Sequence, residues 1–110
     1  QLHVAAEETK FGMSPDEMLD FFRSGRYGDF PAVEFCGVMG MATNTDDETR
    51  VRADFRTIRA TFDAIRGDAA LGLPAFTTVS MGMSDDYLQA IDCGSTLVRI
   101  GTDIFGPRQY

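Results

Sequence analysis

The sequence predicts an α/β domain in which four parallel strands alternate with three helices. Apolar, β-branched segments alternate with helix signals along the chain, and strands joined through helices run parallel with right-handed crossovers. With 110 residues, the chain holds one small domain. Four strands and three helices form either a small open sheet or half of a (β/α)8 barrel, because a complete barrel needs roughly 250 residues.

The first strand and helix are predicted near the amino terminus. Residues 1–6 (QLHVAA) have the pattern of a strand that is already under way, since neither a turn nor a cap precedes them. This opening predicts a fragment, a processed chain or a split polypeptide. Ser14 and Glu17 then form a capping box with proline between them, which predicts the start of a helix. Gly25 is the expected end of that helix.

The second strand is predicted over residues 33–42 (VEFCGVMGMA). Its nearly continuous apolar character is typical of a strand covered on both faces. Gly37 and Gly40 weaken a free strand, so they indicate close packing or a ligand nearby.

The second helix has the clearest pattern in the chain. Thr45 and Glu48 form a second predicted capping box, and Gly67 is the expected end. Apolar residues recur at spacings of four and three, which predicts one buried stripe: Val51, Phe55, Ile58, Phe62 and Ile65. The arginines on the other faces are interleaved with Asp54 and Asp63, which favours a solvated face with local ion pairs over an anion site.

The last third of the chain predicts two strands and a short helix. Residues 76–83 (FTTVSMGM) form the third strand, and Ser84 is the expected cap of the helix that follows. Gly94 ends that helix, and residues 96–100 (TLVRI) form the fourth strand. We expect a turn or short helix to begin at Thr102.

Two strand ends combine glycine, a hydroxyl and backbone N–H groups, a combination that suits a phosphate. Parallel α/β folds bind ligands at the carboxyl ends of their strands, and barrels commonly hold phosphate after the last two strands. The candidate residues are Ser80, Met83 and Ser84 in the first segment, and Arg99, Gly101 and Thr102 in the second. Helix capping by Ser84 and turn chemistry at Thr102 are the alternative explanations.

Arg99 lies between apolar neighbours in a strand that is expected to be buried. An unpaired buried guanidinium is costly, so Arg99 should have an acidic or ligand partner. The internal candidates are Asp92 and Asp103, and the external one is an acceptor atom on a ligand.

The remaining candidates favour packing over chemistry. Apolar side chains expected in the core are Met39, Met41, Met81, Met83, Phe11, Phe35 and Phe105. Asp85 and Asp86 are expected to complement the dipole of the short helix. Cys36 and Cys93 are expected to be buried thiols in a reducing, cytoplasmic compartment rather than a disulfide. With one histidine, His3, no zinc site or catalytic triad is predicted.

Charge and hydropathy exclude two classes of partner. Seventeen acidic and ten basic residues give a net charge of −7, which disfavours nucleic-acid binding. No apolar run approaches the roughly 18 residues of a membrane span, so no membrane partner is expected.

Residues 80–110 (SMGMSDDYLQAIDCGSTLVRIGTDIFGPRQY) closely resemble the carboxyl-terminal signature of the pyridoxal-phosphate homeostasis proteins, the YggS/PROSC type. Residues 7–12 (EETKFG) and 35–47 (FCGVMGMATNTDD) are similar to the same family in the same order. The resemblance implies that residues 1–110 are one partial domain, the carboxyl-terminal half of a (β/α)8 barrel with strands 5–8. The family's fold is that of the alanine racemase barrel domain.

The resemblance also implies a non-catalytic carrier of pyridoxal 5′-phosphate (PLP). In the family pattern, Ser84, Gly101 and Thr102 hold the phosphate and Arg99 faces the pyridine nitrogen. The family's Schiff-base lysine lies on the first barrel strand, which this chain does not contain. Lys10, the only lysine, belongs to a segment after the fifth strand.

The predicted half barrel leaves two strand edges and its inner face unpaired. The resemblance therefore implies a partner, either the amino-terminal half or a second copy. A structural half barrel that dimerises without cofactor, and part of a fold-type III PLP racemase or decarboxylase, remain as alternatives. PLP, phosphate or sulfate bound at Ser84 would support the PLP carrier over these alternatives.

Overall fold

The computed structural model describes residues 1–8 and 10–108. Its elements in chain order are β1 (Leu2–His3), α1 (Pro15–Arg23), a 3-10 helix (Arg26–Asp29), β2 (Gly37–Met41), α2 (Glu48–Arg66), β3 (Thr78–Ser80), α3 (Tyr87–Asp92) and α4 (Thr102–Phe105). The strands pair in parallel in the order β1-β2-β3. The predicted parallel α/β architecture is confirmed.

The fourth predicted strand is a pairing segment rather than a regular strand. Leu97 forms a parallel bridge with Ser80, and its N–H donates to the Val79 carbonyl oxygen at 3.1 Å. The Arg99 N–H donates to the Gly82 carbonyl oxygen at 2.9 Å. Four parallel segments therefore follow one another as predicted. The regular strands β2 and β3 are shorter than the apolar runs that predicted them.

The outer edge of β1 was expected to be unpaired, but it is covered. Met13 forms a parallel bridge with Leu2, and the His3 N–H donates to the Met13 carbonyl oxygen at 2.7 Å. The prediction of an unpaired edge is wrong at this point. The chain returns after the loop at Phe11 and Gly12 and covers the edge itself.

The core lies between the sheet and helices α1 and α2. The predicted stripe of α2 is confirmed, since all five of its residues are buried. In β2, Val38 and Gly40 are buried, whereas Met39 and Met41 on the opposite face are only half-buried. The prediction that this strand is covered on both faces is therefore wrong, because the helices cover one face only.

The two predicted capping boxes have different outcomes. At α1 the Ser14 hydroxyl accepts from the Glu17 N–H, and the Glu17 carboxylate accepts from the Ser14 N–H, both at 3.1 Å. At α2 the prediction is wrong, because the N-cap is Asp47, whose carboxylate accepts from two N–H groups of the first turn. Thr45 lies two residues earlier and accepts from the Asp47 N–H instead.

Several predicted core residues lie at the surface. Phe11 is 82% exposed and Phe105 is 84% exposed, and Met83 is also exposed. Phe35 and Met81 do pack in or against the core. Cys36 is exposed rather than buried and Cys93 is half-buried, and both are free thiols. Apolar character alone did not separate residues that face the helices from those on the uncovered side.

Candidate functional site

The loop after β3 turns sharply at Gly82. This glycine is buried with φ +102°, and a Cβ at this position would lie 2.6 Å from the Ala90 Cβ. Only glycine fits both this backbone conformation and the close approach of α3. Gly82 thereby lets α3 pack closely against the loop that carries Met83 and Ser84.

Ser84 does not cap the following helix, so the capping alternative for this residue is wrong. Helix α3 begins at Tyr87, and the carboxylate of its N-cap residue Asp86 accepts from the Met83 N–H at 2.9 Å. The Ser84 hydroxyl instead accepts from the Asp103 N–H at 3.3 Å. Ser84 therefore joins the loop after β3 to the start of α4, which brings the two predicted segments together.

Gly101 and Thr102 lie at the start of α4, beside Ser84. Gly101 has φ −119°, which other residues also adopt, and no atom lies within 4 Å of the position of an added Cβ. The N–H groups of Gly101 and Thr102 make no hydrogen bond to any residue in the described part of the chain. The packing of this chain therefore does not require glycine here, and two donors are open to an acceptor.

Arg99 is exposed, so the prediction of a buried guanidinium is wrong. Within residues 1–8 and 10–108 it has no ion-pair partner, and its Nη2 lies 4.0 Å from the Met39 sulfur. Asp92, one proposed partner, pairs with Arg52 at 3.2 Å instead. The guanidinium is exposed because, among the residues that the structure describes, no element covers the face of the sheet that carries Met39.

The other two predicted contacts flank this arrangement. Ser80 is half-buried at the end of β3, and its backbone pairs with Leu97. Met83 is 44% exposed and leads into Ser84. The structure thus brings Ser84 and the start of α4 into contact, and Ser80, Met83 and Arg99 lie within a few residues of these two segments along the chain.

A cavity of about 1030 Å³ adjoins these loops through Gly82 and Met83. Its other wall comes from the loops after β1 and β2, including Lys10, Thr43 and Asn44. The sequence marked both loops only by their family resemblance, in residues 7–12 and 35–47. It did not predict that they form one wall, because their members are separated by more than 30 residues.

The Glu7 carboxylate ties the two loops of this wall together. It accepts from the Asn44 N–H at 3.1 Å and pairs with the Lys10 ammonium at 3.0 Å. The Asn44 N–H and the Lys10 ammonium hold the pKa of Glu7 below its ordinary value. Lys10 also donates to the Ala42 carbonyl oxygen at 2.9 Å, so its amine is engaged on both sides.

Metal ligands and membrane-spanning helices are two further classes of feature. Across residues 1–8 and 10–108, no three His, Cys, Asp or Glu side chains are grouped to hold a metal ion. None of the helices in that part of the chain has the length and apolar character to cross a membrane.

Comparison with known proteins places this arrangement in a family. Pyridoxal phosphate homeostasis proteins match the whole chain at 38% identity in Pasteurella multocida and at 36% in Aquifex aeolicus. The chain spans 46% of the length of each of these relatives.

Solved structures and a family model agree with these relatives. A protein from Bifidobacterium adolescentis superimposes with a TM-score of 0.83 at 34% identity, over 93% of this chain and 40% of its own. PipY of Synechococcus elongatus, solved without PLP, gives 0.82 at 25% identity, over 96% and 47%. The family model for the alanine racemase N-terminal domain matches residues 1–109. The chain therefore belongs to the alanine racemase N-terminal domain family and has its α/β, TIM-barrel-like fold.

Proposed function

We propose that this chain is part of a PLP homeostasis protein and binds the cofactor without catalysing a reaction on it. The relatives that match the whole chain carry that name. In this proposal the chain is the carboxyl-terminal half of a barrel, with strands 5–8, and the rest of the barrel supplies the remaining contacts. The chain spans 46% of the length of such a relative, which fits about half of a barrel.

The observation that carries the proposal is the contact between Ser84 and the start of α4. The Ser84 hydroxyl lies beside Asp103, next to the open N–H groups of Gly101 and Thr102. A phosphate is recognised by hydroxyl and backbone N–H donors of this kind. The empty space beside Gly101 leaves room for a ligand to approach the backbone. Ser84, Gly101 and Thr102 therefore hold the phosphate, flanked by Met83 and Ser80.

Arg99 faces the pyridine nitrogen in this proposal. Its guanidinium is free of carboxylate partners in the described chain, so it can donate to an acceptor on the ligand. Bound PLP supplies an electron sink, whose strength depends on protonation of the ring nitrogen. A permanently charged arginine keeps that nitrogen unprotonated, which suits a carrier better than a racemase.

The covalent lysine comes from outside these 110 residues in this proposal. Lys10 is the only lysine, and it is held by Glu7 and the Ala42 carbonyl oxygen. The amino-terminal half of the barrel is the expected partner, because it would cover the half-buried Met39 and Met41 and the exposed Arg99. A second copy of the chain is the alternative cover.

Replacing Arg99 with glutamine tests the role at the ring nitrogen. In the chain combined with its amino-terminal half, we expect Arg99→Gln to weaken PLP binding and shift the absorbance spectrum of the bound cofactor. Arg56→Gln is the matched control, since Arg56 is exposed on α2, far along the chain from the site. An unchanged spectrum together with unchanged affinity would argue against the assigned role.

A further inference from the structure

One charged side chain lies among the buried residues of α2. Asp54 is 5% exposed and lies three residues after Val51 and four before Ile58, both of which are buried. The sequence analysis placed Asp54 on the solvated face, which is wrong. An ionised carboxylate at such a position is costly unless hydrogen bonds compensate it fully.

The Asp54 carboxylate has three donors. Its Oδ2 accepts from the Thr43 N–H at 2.8 Å and from the Thr43 hydroxyl at 2.6 Å. Its Oδ1 accepts from the Arg50 Nε at 3.0 Å. Both oxygens are therefore engaged, and the pattern fits a carboxylate rather than an amide, which has only one acceptor atom.

These bonds extend to the loop after β1. The Thr43 hydroxyl accepts from the Ala6 N–H at 3.0 Å, and the Arg50 Nη2 donates to the Val4 carbonyl oxygen at 3.2 Å. A single buried carboxylate thus connects α2 with the loops that follow both β1 and β2. The same two loops form the wall of the cavity opposite Gly82 and Met83.

We propose that Asp54, acting through Thr43, is a positioning residue that fixes this wall for PLP binding. A leucine or valine at position 54 would continue the apolar stripe, so stability of the helix alone does not call for a carboxylate. The carboxylate instead links the loops after β1 and β2, which line the cavity that Gly82 and Met83 also line. This inference rests on the proposed function.

Two matched threonines on and beside α2 provide the test. Thr43→Val removes the hydroxyl that links Asp54 to the Ala6 N–H. Thr61→Val removes a buried hydroxyl that bonds only to the Thr57 carbonyl oxygen of its own helix. We expect amide exchange at Ala6 to become about threefold to tenfold faster in Thr43→Val, as for the loss of one hydrogen bond, and to be unchanged in Thr61→Val.

PLP affinity, measured by titration of the same variants combined with the amino-terminal half, decides the functional role. We expect Thr43→Val to weaken binding by about threefold to tenfold relative to Thr61→Val, and Thr43→Ser to restore it. Asp54→Asn, which has one acceptor oxygen fewer, should weaken it at least as much. Equal affinity in Thr43→Val and Thr61→Val would overturn the role of Asp54 and Thr43 but not the proposed function. If the unaltered protein binds no PLP, the proposed function falls and the inference with it.

Discussion

Replacing Gly101 with valine is expected to remove phosphate binding while leaving the fold intact. Apart from its two chain neighbours, no atom of the described residues lies within 4 Å of an added Cβ, and the negative φ of −119° lies outside the left-handed region that favours glycine. The side chain would instead occupy the space beside the N–H groups of Gly101 and Thr102. We expect affinity for PLP to fall at least about tenfold, or ~1.4 kcal/mol.

The control for this substitution is Gly28→Val. Gly28 lies in the 3-10 helix and is likewise free of atoms within 4 Å of an added Cβ, but it is remote from α4. Titration calorimetry with PLP and urea unfolding of both variants separate binding from stability. Gly101→Val with unaltered affinity would show that the phosphate does not lie at this glycine.

The second large effect is expected on stability, from Gly37→Ala. An added Cβ at Gly37 would lie only 1.8 Å from the Thr78 carbonyl oxygen, in the paired strand β3. That oxygen belongs to the backbone, so it cannot move away without disturbing the β2–β3 pairing. We expect the free energy of unfolding to fall by about 3 kcal/mol, the upper part of the range for overpacking.

Gly72→Ala provides the comparison for Gly37→Ala. Gly72 has φ +58° but open space at its Cβ position, so alanine there should cost only the ~1 kcal/mol of a left-handed backbone. Urea denaturation of the two variants measures the difference. A Gly37→Ala variant that is as stable as Gly72→Ala would contradict the close strand contact.

The sequence predicted the elements whose signals are local. The α1 capping box and the apolar stripe of α2 depend on spacings within a few residues, and both are confirmed. The close packing inferred at Gly37 and Gly40 is confirmed as well, since an added Cβ would clash at each. The parallel order of the strands followed from the alternation of strands and helices.

The errors arise where long-range contacts decide the outcome. Arg99 lies between apolar neighbours, but its burial depends on whether another element covers that face of the sheet. Ser84 has the position of a helix cap, but its hydroxyl instead accepts from the Asp103 N–H at the start of α4. Asp54 could have been identified from its spacing to Val51 and Ile58, which places it on the buried stripe. Its partner Thr43, however, is known only from the folded chain.

Binding of the phosphate group at the start of α4 is the central claim, and amide NMR of the 110-residue chain tests it most directly. On titration with PLP, and separately with inorganic phosphate, the amide signals of Ser84, Gly101 and Thr102 should shift together and saturate. The same titration with Gly101→Val should leave the amide signals of Ser84 and Thr102 unmoved. Shifts confined to Lys10 and its neighbours, or no saturable shift at all, would contradict the claim.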